Sequence, residues 1–473
     1  MQEILAPVSF SADAVEGFLC ALKEHDYRIH ALMIARSDTL CYASAAAPYT
    51  LQTPHRLFSA AKSILMLNSL FAIQEGKMKL TDRVVSFFPE IPVKDPLMQR
   101  MTLRDLLTMQ TGQVEDPFGE MINDMDADLV RLFFQAPVVD EPGTVFRYNN
   151  TVPHMIAAVT ERAVQMPIEL YQNMRLCQPL NAPIHAPTNK AGIYNPVITC
   201  MSAESFFKYA MFFLTEGQSE GKVLLHPSLV REAVSQQVNT GLPGNSAGYG
   251  YQIWRNQFGG YRMDGGWGQF AFILPEENTA VVMLSDMTDA SYALTAFEQW
   301  LLPAIRAGGT NAPSRPVLLQ SMAPEGKAEP CPAIFDRLYE LENNDTLRLE
   351  QSGQRLLLHV TGKLHETTIT IGLQGMFCAN QKRIVSRPTR SIDNMVYGQD
   401  EQAVLLSGAW VAPNRLEICG KSFAEMGEYR HCLEFDGQAL RVTYMPTARH
   451  GMAALEDGNT LKGAVKCQLM PNC

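Results

Sequence analysis

Apolar and polar positions follow two different periods along this chain of 473 residues. Residues 11–25 place Val15, Phe18, Leu19 and Leu22 on one side of an amphipathic helix. Residues 31–35 and 40–43 read as two strands joined at Ser37-Asp38-Thr39. From residue 57 helical spacing takes over. Residues 57–73 form a helix that Gly76 ends, and a short helix within KLTDRVVSFFPEI closes at Pro89. Thr102 is the N-cap expected for LRDLLTMQTG, which Gly112 terminates. Further helices are expected at 126–134, 152–164, 168–176 and 203–215.

From Gly248 the period drops to two. YGYQIW, YRMD, QFAFIL and TAVVMLS are short strands separated by glycine pairs and by Pro275-Glu276-Glu277-Asn278, and a helix over 292–305 follows. Residues 307–330 are rich in Pro, Gly, Ala and Ser and read as a linker. Beyond them DTLRLEQSGQRLLLHV is a hairpin about Ser352-Gly353, and ETTITIGL, AVLLSGAWV, RLEIC and HCLEFDGQALRVTYM continue as strands.

A chain of this length exceeds what one core usually supports. The expected division is a domain over 1–308, a linker over 309–330 and a β-rich domain over 331–473. Strands at both ends of the first domain around a helical middle predict an α/β (α+β) sandwich, an antiparallel sheet flanked by helices with a helical subdomain. The last domain is expected to be a small antiparallel β structure, a partial barrel being one form of it. It shows no catalytic constellation, and binding a ligand, covering a cleft and mediating dimers all stay open for it.

Candidate chemistry sits in the stretch LFSAAKSILMLNSLFAI, residues 57–73, which is apolar on almost every side yet carries Lys62. Lysine is almost never fully buried without a partner or a purpose. A membrane span needs about 20 mostly apolar residues with few charges, so this run is too short and too polar for one. Ser59 and Lys62 stand three apart, on one helix face. A buried amine kept neutral by desolvation can take the proton of a neighbouring hydroxyl. The spacing alone is weak, because Ser219 and Lys222 repeat it in GQSEGK, a glycine-rich stretch that reads as an exposed turn. Tyr148 and Asn150, in the turn PGTVFRYNN, are the matching proton-handling and positioning candidates. Tyr171-Gln172-Asn173 has the same form but lies in an amphipathic helix, where tyrosine is a packing residue.

Composition narrows the rest. A net charge of −10 argues against a nucleic-acid binder. The N-terminal MQEILAPVSFSADAVEGF lacks a basic stretch followed by an apolar one, so no signal peptide is expected. Ten cysteines without C-x-x-C pairs fit reduced thiols, and the expected location is cytoplasmic without a membrane anchor. Ten dispersed histidines and no H-E-x-x-H give no readable metal site, and no cofactor is expected. DGGWGQ is glycine-rich but opens onto a strand, whereas a phosphate-cradling loop leads into a helix.

FSAAKS, EGKMKLTDRVVSFFPEI, MTLRDLLTMQTG, PGTVFRYNN, YGYQIW and GGWGQFAFILPEENTAVVMLS occur in this order between Leu57 and Ser285. In this the chain resembles the serine β-lactamase and penicillin-binding-protein superfamily, in its class C and esterase-like branch. The resemblance implies Ser59 as acylated nucleophile, Lys62 as general base, Tyr148 as proton-relay partner and Asn150 as a positioning residue. It implies an oxyanion hole from the Ser59 N–H and one N–H of the strand entered at Trp267 to Gln269.

One departure stands out. The family's third motif, a Lys or His followed by a small residue and Gly, is replaced by Asp264-Gly265-Gly266. A carboxylate there should repel the carboxylate of a penicillin. The charge at Asp264 leads to the expectation of an esterase, amidase or aminopeptidase, acting on a small-molecule or peptide ester or amide rather than on a β-lactam. With the strand that the resemblance brings to the site, the expected substrate-binding residues are Asp264, Gly266, Trp267 and Gln269. For Asp264, a plain turn role before two glycines is an equal alternative. The rival reading is a catalytically lapsed member of the fold that binds a ligand or partner. The oligomeric state stays open, a homo-oligomer included.

Overall fold

The structure, a computed structural model, describes residues 10–25, 27–119, 128–185, 199–287, 290–308, 317–342, 344–362, 366–380, 383–384, 397–398, 404–422, 429–437, 439–446 and 460–468. The chain forms two compact units, one of residues 3–45 and 51–318, the other of 1–2, 46–50 and 319–473.

The first unit opens with α1 (Ala12–Glu24), capped by Ser11, and the hairpin β1 (Ile29–Arg36) and β2 (Thr39–Ala45). Its helical middle includes α2 (Ala61–Gln74), α3 (Leu103–Leu107), α4 (Val152–Val164) and α5 (Ala203–Leu214). Thr102 and Asp105 close a reciprocal capping box on α3. The later strands are β3 (Val238–Asn239), β4 (Gly248–Tyr249), β5 (Trp254–Arg255), β6 (Tyr261–Gly265), β7 (Gln269–Leu274) and β8 (Thr279–Ser285). Together they make one antiparallel sheet in the order β2-β1-β8-β7-β6-β5-β4-β3. Met33 of β1 faces Val282 of β8, so the sheet is built from both ends of the unit, as the pattern predicts. α5 packs its buried Phe206, Tyr209 and Phe213 on the β7–β8 side, and α2 lies against α4 within the same core.

The helix expected from residue 57 starts later. Phe58–Ala60 is a separate 3₁₀ turn, because Phe58 takes a left-handed φ of 49° and α2 begins at Ala61. Part of the helix expected at 126–134 lies outside the described residues, and its described portion spans Leu129–Gln135.

The second unit carries β9 (Arg337–Leu341), β10 (Thr346–Ser352), β11 (Arg355–Thr361), β12 (Glu366–Leu373), β13 (Cys378–Asn380), β14 (Val404–Ala412), β15 (Arg415–Ser422), β16 (Tyr429–Asp436), β17 (Ala439–Pro446) and β18 (Thr460–Gln468). They run β12-β11-β10-β9-β18-β17-β16-β15-β14-β13, and β12 also pairs with β14 through Gly372↔Ser407. That pairing joins the two ends, so this is a closed barrel rather than a partial one, and closure removes exposed strand edges. Alternate residues such as Leu347, Leu349, Leu356, Leu358, Ile369 and Ile371 fill its interior.

Candidate active site

α2 is buried from Ala61 to Ala72, and its polar side chains have partners. Ser63 Oγ donates to the Gln252 carbonyl at 2.6 Å, Asn68 Nδ2 donates to Gln172 Oε1 at 2.8 Å, and Ser69 Oγ lies 2.9 Å from Thr160 Oγ1. Lys62 is 5% exposed. Its Nζ lies 2.7 Å from Ser59 Oγ and 3.0 Å from Asn150 Oδ1.

Ser59 sits in the 3₁₀ turn ahead of α2. The Leu57 N–H donates to the Thr199 carbonyl at 2.9 Å and the Ala60 N–H to the Leu57 carbonyl at 3.1 Å, which fixes the turn. β6 passes directly beside it. A Cβ on Gly265 would lie 2.1 Å from the Leu57 oxygen and 3.1 Å from the Ala60 nitrogen, so the approach requires glycine.

Tyr148 and Asn150 lie in the loop leading to α4 and join Ser59 and Lys62. The Tyr148 ring stacks on Trp254 with centroids 5.8 Å apart and planes at 20°. Lys62 Nζ is 4.9 Å from the Tyr148 ring centroid, close enough for a cation–π contact. Trp254 in turn meets Tyr249 edge-on at 4.8 Å and Phe146 at 5.9 Å, which gives Tyr148 a rigid backing. Asn150 is held by Asp116, whose Oδ2 accepts from the Asn150 N–H at 2.7 Å and from its Nδ2 at 3.2 Å.

Asp264 on β6 is paired with Arg262, whose Nε donates to Asp264 Oδ2 at 2.8 Å. The Arg262 side chain is 1% exposed and that of Asp264 24%. Arg262 also donates to the Asn245 carbonyl at 2.7 Å and to Asn256 Oδ1 at 2.9 Å, and its guanidinium lies over Trp254. Burial pushes the Asp264 carboxyl up from its ordinary range, with Arg262 and, more weakly, Lys62 pulling it back. The alternative of a plain turn residue is not what the geometry gives, because Asp264 lies within the strand.

Residues 266–268 connect β6 to β7. Gly266 is exposed, and Trp267 takes a φ of 65°. The Trp267 carbonyl accepts from the Met287 N–H at 3.0 Å, Ser285 Oγ at 3.0 Å and Gln269 Nε2 at 3.1 Å, which pins a conformation that costs about 1–3 kcal/mol in a non-glycine residue. The Gln269 side chain is buried and spends its amide on the Ser285 carbonyl at 2.7 Å and on the Trp267 carbonyl, while its Oε1 accepts from the Ser285 N–H at 3.3 Å, so its side chain braces this turn.

The decoys lie elsewhere. Ser219 and Lys222 are cross-strand partners in a small hairpin with Lys222 exposed. Tyr171 is buried under the Arg175 guanidinium. Asp116, Trp254 and Arg262 escaped the sequence reading. Asp116-Pro117, shortly after Gly112, carries a turn signature that could have drawn notice to Asp116. Among the described residues no group of three or more His, Cys, Asp or Glu converges as a metal site, and no helix is long and apolar enough to cross a membrane.

A family model for beta-lactamase matches residues 20–302, more than half of the chain. The chain belongs to the beta-lactamase family. Members of that fold family are serine hydrolases and acyltransferases. Among solved structures, a penicillin-binding protein homologue from Caulobacter crescentus is similar with a TM-score of 0.53 at 13% identity, over 64% of this chain and 100% of that one. The octameric penicillin-binding protein homologue from Pyrococcus abyssi gives 0.50 at 15% identity, over 95% of this chain and 99% of that one. EstCE1, a hydrolase with promiscuous acyltransferase activity, gives 0.50 at 18% identity, over 64% and 99%. At these identities the likeness shows a shared fold. No curated protein matches the chain by sequence.

Proposed function

We propose that this beta-lactamase-family chain is a serine hydrolase that cleaves an ester or amide through an acyl-enzyme on Ser59. The observation that carries the reading is the 2.7 Å approach of Lys62 Nζ, on the buried helix α2, to Ser59 Oγ in the turn ahead of it. Lys62 takes the hydroxyl proton while Oγ attacks the substrate carbonyl carbon. Tyr148, packed against Lys62, passes a proton to the leaving group. Asn150 Oδ1 receives a Lys62 N–H and so holds the ammonium that forms. Water then attacks the acyl ester, and the same groups run in reverse.

The oxyanion formed in each step needs two N–H donors. One is Ser59, at the start of a helical segment, where backbone N–H groups lack helical partners. The other we place on Gly266. The Gly260 carbonyl faces β5, accepting from the Asn256 N–H at 3.2 Å, the two-residue period of the strand turns Asp264 to that same edge, and Gly266, the first residue past the strand, carries the next N–H in that period. Among the described pairings β5 meets β6 only at Tyr261 and Arg262, which leaves this edge of β6 without a strand partner from Asp264 on.

Asp264 supports a substrate that is neutral or carries an amine. The Arg262 guanidinium offsets part of the Asp264 charge, so a second carboxylate beside it would be repelled by on the order of 1 kcal/mol rather than the several kcal/mol of two bare charges. An esterase, amidase or aminopeptidase fits this better than a β-lactamase. Comparing turnover of an acetyl or butyryl ester with that of a cephalosporin tests it, and preference for the cephalosporin contradicts it. The cytoplasmic placement is kept as a proposal that rests on the single, scattered cysteines of the sequence. A homo-oligomer is likewise proposed, the Pyrococcus abyssi homologue being octameric. Light scattering decides it. We keep 1–308 as the catalytic domain, 309–330 as linker and 331–473 as a domain of unassigned role.

A further inference from the structure

We propose that Asp116 is a positioning residue that fixes which end of the Asn150 amide faces Lys62. The inference rests on the serine-hydrolase reading above. Asp116 Oδ2 accepts from the Asn150 N–H at 2.7 Å and from Asn150 Nδ2 at 3.2 Å. Its Oδ1 accepts from the Thr151 N–H at 3.1 Å, Thr151 Oγ1 at 2.7 Å and the Phe118 N–H at 3.1 Å. Five donors therefore converge on one carboxylate.

An ionised carboxylate only accepts hydrogen bonds. It takes the NH₂ end of Asn150 and leaves the amide oxygen as the only group that can turn to Lys62, 3.0 Å away. Without that constraint an asparagine amide can present either end. An NH₂ turned to Lys62 would set donor against donor at the group that must accept and hold the Ser59 proton.

A purely structural role does not account for the arrangement. The start of α4 already has its own cap. Asn149 Oδ1 accepts from the Thr151 N–H at 2.8 Å and the Val152 N–H at 3.1 Å, and it does so without Asp116. Beside its bonds to Thr151 Oγ1 and the Phe118 N–H, Asp116 supplies the pair of bonds to Asn150, reached across 34 residues of chain, and only this pair bears on which end of the Asn150 amide meets Lys62.

The test uses Asp116→Asn, near-isosteric, and the double variant Asp116→Asn/Asn150→Asp, which exchanges the amide and the carboxylate. Turnover of p-nitrophenyl acetate and the rate of fluorophosphonate addition are measured on the full chain, with Ser59→Ala as control and melting temperature as the check on folding. In Asp116→Asn, kcat and the labelling rate should fall about 10–100-fold, a range typical of groups that orient a reacting shell, with KM nearly unchanged. The double variant restores an acceptor toward Lys62 and should recover about tenfold or more of that loss. An Asp116→Asn protein that reacts like the unaltered one overturns the proposal, as does a loss that the exchange fails to recover. Absence of any Ser59 adduct on the unaltered protein would instead remove the serine-hydrolase reading, and the positioning role with it.

Discussion

Gly265 lies so close to Leu57 that a Cβ on it would sit 2.1 Å from the Leu57 carbonyl oxygen. The strand that edges the site is thereby seated on the turn that presents Ser59. Gly265→Ala must push β6 and this turn apart. The expected cost is about 1–3 kcal/mol of stability from overpacking. Displacing a reacting group by about 1 Å can cost on the order of 100-fold in rate. Melting temperature and ester turnover of the variant check this, and a fully active Gly265→Ala protein would show that the approach does not matter.

Asp264 sets the charge preference. Asp264→Asn keeps the shape and removes the anion, although Arg262 then loses its charged partner and some stability. The ratio of kcat/KM for p-nitrophenyl hemisuccinate to that for p-nitrophenyl acetate should rise on the order of tenfold, equivalent to about 1.4 kcal/mol of relieved repulsion. A ratio that stays put would mean that Asp264 does not face the substrate.

His431 makes the barrel acid-sensitive. It is buried on β16, and burial pushes its pKa down from 6.5 to about 4. The native state thus releases its proton more readily than the unfolded chain. Stability from this group is complete above pH 6.5 and is lost as pH falls toward about 4. The full loss is about 3 kcal/mol. Denaturant titrations of the full chain between these limits should show a slope that His431→Leu flattens.

Local pattern made much of this legible. The apolar run of α2 with its single lysine pointed to Ser59 and Lys62, and the helix expected at 152–164 is α4, Val152–Val164. What escaped the sequence depends on contacts distant in the chain or on backbone geometry. No periodicity announces the positive φ of Phe58, which separates Ser59 from α2. Asp116 meets Asn150 only after the chain has folded back. The alternation of β7 did not reveal that Gln269 faces inward toward Ser285. Barrel closure rests on the pairing of Gly372 with Ser407, which the spacing of strands cannot supply.

The central claim is an activated Ser59, and intact mass after exposure to a fluorophosphonate tests it most directly. The unaltered protein should gain one adduct, with Ser59→Ala and Lys62→Ala both unlabelled. A folded protein that gains no adduct, or one that is labelled equally in the Ser59→Ala variant, would contradict the account.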